Sequence, residues 1–342
     1  VVSALTLLPW QADRLRDALA SLTSAGALIH GAPGSGQLNL ALNLAKAWLC
    51  EAHDAKAAHQ PACGQCASCH LVDAGTHPDL MVVLPETLWP ELGWSHLEED
   101  ADKADKGEGK KRKPSQEIKV EAIRQVVTFS QSTVSRGRAK VVVIHPAERM
   151  NMVSSNTLLK TLEEPPGQVR FVLSAGSLED VLPTVRSRCQ AWHLPLPQAN
   201  EVLPWLQAQA SGLGAPEAAL LLKAAGGSPQ AALGLLTLGW DATGWARWPR
   251  DLKDGLLGQC AGWPTAALVE AFQKLAHDLG CVAVQAPPRY FPAEALPRSA
   301  DLARVTAWAQ ELRKAMRHAE HPWNASLKAE SLLFQARKAM AR

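Results

Sequence analysis

Two groups of residues in this sequence have the types and spacing of chemistry. Cys50 is followed, after twelve intervening residues, by Cys63-Gly64-Gln65-Cys66-Ala67-Ser68-Cys69, two successive C-x-x-C steps. Four thiolates gathered in this way complete a tetrahedron around Zn²⁺, and a site with sulfur at every corner leaves no position for water, so it is structural rather than catalytic. His53, His59, His70 and His77 lie close enough to replace one sulfur, and a redox C-x-x-C or unligated buried thiols are the other readings. Cys189, Cys260 and Cys281 stand alone, as small core residues do. The second group, Gly31-Ala32-Pro33-Gly34-Ser35-Gly36-Gln37-Leu38, has the frame G-x-x-x-x-G-K-[ST] of a phosphate-binding loop. In a working loop backbone N–H groups wrap the phosphates, a Lys neutralises their charge and a hydroxyl holds Mg²⁺. Here Gln37 stands in place of the Lys and Leu38 in place of the hydroxyl. A plain glycine-rich turn is the alternative.

A second deficit is independent of the first. The apolar run 141–144 is where a nucleotide-hydrolysing site would place the acids that hold Mg²⁺ and activate water, yet the chain continues as His145-Pro146, with Glu148 beyond the strand end. Two losses at separated positions lead us to expect no functional ATP or Mg²⁺ site in this chain. Arg136, Arg138 and Lys140 form a short basic run that reads equally well as a phosphate contact or a solvated turn. Residues 50–79 contain Lys56 as their only Lys or Arg, little with which a metal module could grip nucleic acid. Arg186 and Arg188, in Thr184-Val185-Arg186-Ser187-Arg188-Cys189, would each read alone as a surface or salt-bridged arginine.

The elements that must position these residues fall into two styles. Over the first 195 residues, short β-branched runs at 27–30, 79–84, 140–145 and 169–174, with a weaker one at 191–194, alternate with helical patterns at 40–49, 120–129 and 154–164. That alternation predicts an α/β domain built on a parallel sheet over 1–195. It carries the cysteine module at about 50–79 and a charged insertion at about 95–116, where residues 98–113 hold six acids and six bases. After Pro195 and Pro197 the pattern turns helical, with a small module expected at 196–240 around the turn Gly226-Gly227-Ser228-Pro229 and a helical bundle at 241–342. In 342 residues, 47% hydrophobic content supplies a core for each domain, and 35 basic against 33 acidic residues give a net charge of +2. Such balance announces no polyanion-binding face. No apolar run is long enough for a membrane helix and no signal sequence is evident, so a cytoplasmic protein without membrane contact is expected. Tryptophan supplies 12 of the aromatics against one Tyr, for which composition offers no physical account.

The run Leu158-Leu159-Lys160-Thr161-Leu162-Glu163-Glu164-Pro165-Pro166, then a strand, then Ser187-Arg188-Cys189, resembles the clamp-loader branch of AAA+ ATPases, the family of the bacterial DNA polymerase III clamp loader. The resemblance spans residues 5 to about 230 and includes the cysteine cluster; beyond that only helical character remains. It implies an AAA+ P-loop-type sheet domain, a helical lid and a C-terminal oligomerisation collar. It implies too that Arg188 is a trans arginine finger, reaching the ATP site of an adjacent hydrolysing subunit, with gamma or tau and delta subunits, a sliding clamp and primer-template DNA as the surrounding partners. Where the ATPase members carry a nucleotide-sensing Arg after the Gly-Ser turn, this chain has Gly227-Ser228-Pro229-Gln230. Two readings compete with an assembly subunit: a weak P-loop ATPase in its own right and a zinc-module nucleic-acid binder.

Overall fold

A computed structural model describes residues 5–52, 60–94, 114–136, 138–319 and 324–340. The charged stretch at 98–113, with most of the insertion expected at 95–116, lies outside these residues, as do His53, Lys56 and His59. The chain divides into two compact units, Val1–Pro197 and Gln198–Arg342.

The first unit is built on five strands, β1 (Gly26–His30), β2 (Leu80–Val83), β3 (Lys140–Ile144), β4 (Val169–Ala175) and β5 (Gln190–His193), in the order β2-β3-β4-β1-β5. All neighbours are parallel, as expected for the α/β class read from the sequence. Parallel strands buried on both faces need apolar side chains at consecutive positions, and β3 supplies Val141-Val142-Val143-Ile144 without interruption. Alternation then sorts them: Val141 and Val143 enter one core with Ala27, Ile29 and Val172, whereas Val142 and Ile144 enter the other with Leu28, Phe171 and Leu173. Helices α1 (Gln11–Ser21) and α2 (Gln37–Leu49) cover the first core through Leu15, Leu19, Leu40 and Leu44. On the opposite face lie α4 (Val120–Gln131) and α5 (Met152–Glu163), contributing Ile123, Val126, Leu158 and Leu162. Asn151 caps α5 by accepting from Ser154 N at 2.9 Å, and Pro165-Pro166 follows its end. Two short helices complete the unit: α3 (Ala67–Asp73) after the cysteine turn and α6 (Pro183–Arg186) before β5. The connection leaving β1 starts at the carboxyl edge of the sheet, where the strand order reverses direction and α/β proteins bind ligands.

The second unit contains α7 (Ala199–Gln209), α8 (Ala215–Ala224), α9 (Pro229–Thr237), α10 (Ala242–Lys253), α11 (Thr265–Ala283), α12 (Leu302–Arg317) and α13 (Ala325–Met340). Residues on both sides of position 240 lie in this one unit. Ser228 caps α9 by accepting from Ala231 N at 3.3 Å, with Pro229 at the first helical position. Two of the tryptophans account for much of its packing: Trp245 and Trp248 are fully buried, and Trp245 stacks on Phe291 with ring centroids 4.4 Å apart. Buried Asp278 accepts the backbone N–H groups of Arg289, Tyr290 and Phe291, each at 2.8 Å, which fixes the loop that carries Phe291 into the stack. No helix among the described residues is long and apolar enough to cross a membrane.

Candidate functional site

The glycine loop leaves β1 and opens α2, as its sequence frame requires. Gly34 and Gly36 have φ of 78° and 91°, the left-handed region that glycine enters without penalty. A Cβ at Gly31 would lie 2.2 Å from Leu194 O, so the loop is pressed against the chain leaving β5. The two residues at the chemical positions both turn inward. Gln37 Nε2 donates to Gly31 O at 2.7 Å and Ala32 O at 2.8 Å, filling the loop with its own amide. Leu38 is buried in the core beneath the sheet, where no metal ligand is needed. Gln11 completes the closure: its Nε2 donates to Gly36 O at 2.7 Å and its Oε1 accepts from Leu8 N at 3.3 Å.

At the end of β3, where an acid would hold Mg²⁺, His145 Nδ1 lies 2.8 Å from Ser174 Oγ. Dense packing around the ring pushes its pKa down to about 4, so the imidazole is neutral near pH 7 and brings no charge to this edge. Glu148, beyond the strand, folds back so that its Oε1 accepts from Gly176 N at 2.9 Å. Its carboxylate is thus used to anchor the chain leaving β4.

The four cysteines do converge. Cys50 caps the C-terminus of α2 and Cys66 the N-terminus of α3, while Cys63 and Cys69 lie on the turn and in the first turn of α3. The four Sγ atoms all lie within 4.8 Å of one another, with Cys50–Cys66 at 3.9 Å and Cys63–Cys69 at 4.0 Å. A tetrahedron with metal–sulfur bonds of about 2.3 Å places its corners roughly 3.8 Å apart, so the donor set fits a metal ion. Backbone N–H groups of Gln65 and Cys66 point at Cys63 Sγ, each at 3.4 Å, and lower its pKa. At Cys66 burial opposes ionisation, but the Cys69 N–H and neighbouring donors outweigh it and bring the thiol down to about 6. Burial raises Cys50 and Cys69 instead. His77 is not part of the cluster: its Nε2 lies 3.0 Å from Ser68 Oγ and its Nδ1 accepts from Asp79 N at 3.0 Å.

The basic run before β3 is tied inward. Lys140 is 2% exposed, with Nζ 3.5 Å from Asp79 Oδ1 and 4.0 Å from the Phe129 ring centroid. Arg136 pairs with Glu51 at 2.6 Å, and Arg138 donates to Cys50 O. Asp79 also accepts the N–H groups of Ser135 and Arg136, both at 2.8 Å. Arg136 stays on an exposed turn, and its pair with Glu51 and the bond from Arg138 to Cys50 O fasten that turn to the cysteine module. Lys140 is therefore corrected as a phosphate contact, because its ammonium is buried on a carboxylate.

The two motifs that carry the family resemblance meet in space. Arg188, just past α6, directs Nε and Nη2 to Glu163 Oε2 at 3.2 and 3.1 Å and Nη1 to Thr184 O at 3.0 Å. Its side chain is 28% exposed. Cys189 turns the other way into the protein, where burial pushes its thiol up to about 12. Arg186 instead reaches Leu178 O.

Residues 11–198, more than half of the chain, match the family model described as DNA polymerase III, delta subunit. Among curated relatives, the DNA polymerase III subunit delta' of Pseudomonas aeruginosa is 36% identical over 202 residues, covering 59% of this chain and 52% of that one. The delta' subunit of Escherichia coli is 34% identical over 209 residues, 61% and 53% of the two chains. The match therefore spans about half the length of these relatives. Among solved structures, a DNA polymerase III gamma subunit-related protein from Thermotoga maritima covers 97% of this chain and 100% of its own at 16% identity, with a TM-score of 0.46. The chain belongs to the DNA polymerase III delta-subunit family, and the two delta' subunits above are about a third identical to it over the aligned residues.

Proposed function

We propose that this chain is a non-hydrolysing delta'-type subunit of the DNA polymerase III clamp loader. In this reading it works in the cytoplasm within a hetero-oligomer of gamma or tau and delta subunits that places a sliding clamp on primer-template DNA. Its own contribution to hydrolysis is Arg188, offered in trans to a neighbouring ATPase subunit. The observation that carries this is the phosphate loop, closed by its own Gln37 amide and backed by a buried Leu38. A loop of that kind supplies no cation for a triphosphate and no oxygen for Mg²⁺, which weighs against the weak-ATPase reading. A guanidinium, by contrast, donates planar, charge-assisted hydrogen bonds to phosphoryl oxygens and is worth roughly 10³ to 10⁵ in rate when it completes a neighbour's site.

Cys50, Cys63, Cys66 and Cys69 would hold a structural Zn²⁺ in this reading, since all-sulfur donor sets select zinc and leave no open position. The ion would then clamp the C-terminus of α2 to α3 and, through Glu51 and Arg136, to the turn before β3. The inward pairing of Arg136, Arg138 and Lys140 disfavours a free-standing nucleic-acid binder.

The test is reconstitution with gamma or tau and delta subunits. Arg188→Ala is expected to lower DNA-stimulated ATP turnover at least a hundredfold while the complex still assembles on a sizing column. Calorimetry of the isolated chain with ATP and Mg²⁺ is expected to show no heat of binding. Normal turnover by the mutant complex ends the trans role, and a measurable affinity for ATP ends the closed-pocket reading.

A further inference from the structure

Glu163 and Arg188 come from segments 25 positions apart, and the structure closes that gap with two hydrogen bonds to one carboxylate oxygen. Glu163 is the last residue of α5, held there by the proline pair that stops the helix. Its Oε2 takes the Nε–Nη2 edge of the guanidinium, and Thr184 O takes Nη1. That edge is the fork that would hold two phosphoryl oxygens side by side. A guanidinium cannot offer it to a neighbour's triphosphate while it is turned to Glu163.

The pair is exposed: 28% of the Arg188 side chain and 60% of the Glu163 side chain face solvent. Water competes for both partners, so the hold is shallow and easily reversed. We propose that Glu163 is a restraining partner of Arg188, a stand-in anion that keeps the finger on its own chain until a more highly charged phosphoryl group in the adjoining site displaces it. This rests on the trans role of Arg188 proposed above. An exposed pair of this kind shifts the balance between held and free arginine by about two- to fivefold, enough to suppress idle hydrolysis without blocking engagement by triphosphate. The adjacent Glu164 is exposed and makes no bond to Arg188 among the described residues, which supplies a matched control.

The experiment measures ATP turnover at subsaturating ATP by the reconstituted complex with gamma or tau and delta subunits. Glu163→Gln keeps the shape and removes the charge; turnover in the absence of DNA is expected to rise about two- to fivefold, whereas Glu164→Gln leaves it unchanged. On an Arg188→Ala background Glu163→Gln is expected to add nothing, which separates an effect through Arg188 from a general effect on the fold. If Arg188→Ala abolishes stimulated turnover but Glu163→Gln leaves basal turnover unchanged or lowers it, the restraint is overturned and the trans role stands. If Arg188→Ala has no effect on turnover, the trans role falls and the restraint with it.

Discussion

Helix α2 carries one candidate site at each end, and the two have kept different things. At its N-terminus the phosphate loop preserves a backbone, with left-handed glycines at 34 and 36 and a close approach at Gly31, while Gln37 and Leu38 stand where charge and hydroxyl belong. At its C-terminus Cys50 joins three other cysteines in a complete donor set. The contrast has a physical reason. A loop that turns a strand into a helix still does so when its side chains change, because glycine conformation and helix capping do not depend on a bound phosphate. A closed metal centre has no such half-way state, since a set of three sulfurs no longer completes the tetrahedron that holds the ion. The end with a complete donor set is the one whose proposed chemistry would hold α2 to α3.

The largest expected effect breaks the centre. Cys66→Ser, or treatment of the whole chain with a strong chelator, is expected to lower the melting temperature by roughly 10 °C or more. Elemental analysis should find about one zinc per chain in the parent and little in the variant. A parent without metal that melts unchanged in chelator would remove one side of the comparison.

Acid tests the other end. His145 has its pKa depressed to about 4 against an unfolded value of 6.5, so below pH 6.5 the unfolded chain binds the proton more readily. Stability contributed by the neutral ring is whole at pH 7 and is lost as pH falls from 6.5 toward 4, by about 3 kcal/mol at most. His145→Asn keeps a polar group beside Ser174 without a proton to gain. Denaturant titrations across that range should give a flatter pH profile for the variant; parallel profiles would mean that the ring is not held neutral.

A third effect, of about 2–3 kcal/mol, concerns restoration. Converting Gln37 to Lys and Leu38 to Thr rebuilds the phosphate-loop motif but removes buried apolar volume and inserts a hydroxyl into the core. We expect the double variant to be less stable by chemical denaturation and still without ATP turnover of its own, because His145 still follows β3 where an acid would activate water. Turnover by the double variant would show that the two deficits are not independent.

How much of this could be read from the sequence varies with the range of the interaction. The uninterrupted Val141-Val142-Val143-Ile144 run and the glycine frame are local signals, and both appear where the periodicity placed them. The cysteine cluster was legible because metal geometry constrains spacing. Arg136, Arg138 and Lys140 were not, since a string of charges looks the same whether it faces solvent or Glu51, the Cys50 carbonyl and Asp79. The contacts of Gln11 were hidden for a related reason: its partners, Ser35 and Gly36, lie 24 and 25 positions away and are backbone carbonyls, which leave no side-chain signature. Glu163 and Arg188 each stood out within a motif, but their pairing depends on the end of α5 meeting the end of α6.

The smallest expected effect decides what Gln37 is for. Its amide makes two hydrogen bonds to carbonyls of the loop, and Gln37→Ala should cost about 1–2 kcal/mol by leaving Gly31 O without that donor. If instead the amide merely fills space that phosphate once occupied, Gln37→Met, similar in length and without a donor, would be as stable as the parent. Denaturation of the three proteins distinguishes the cases: equal losses for Ala and Met mean that the hydrogen bonds hold the loop shut. A loss for Ala alone would mean that packing does, and the loop's backbone would then be stable with its carbonyls turned to water.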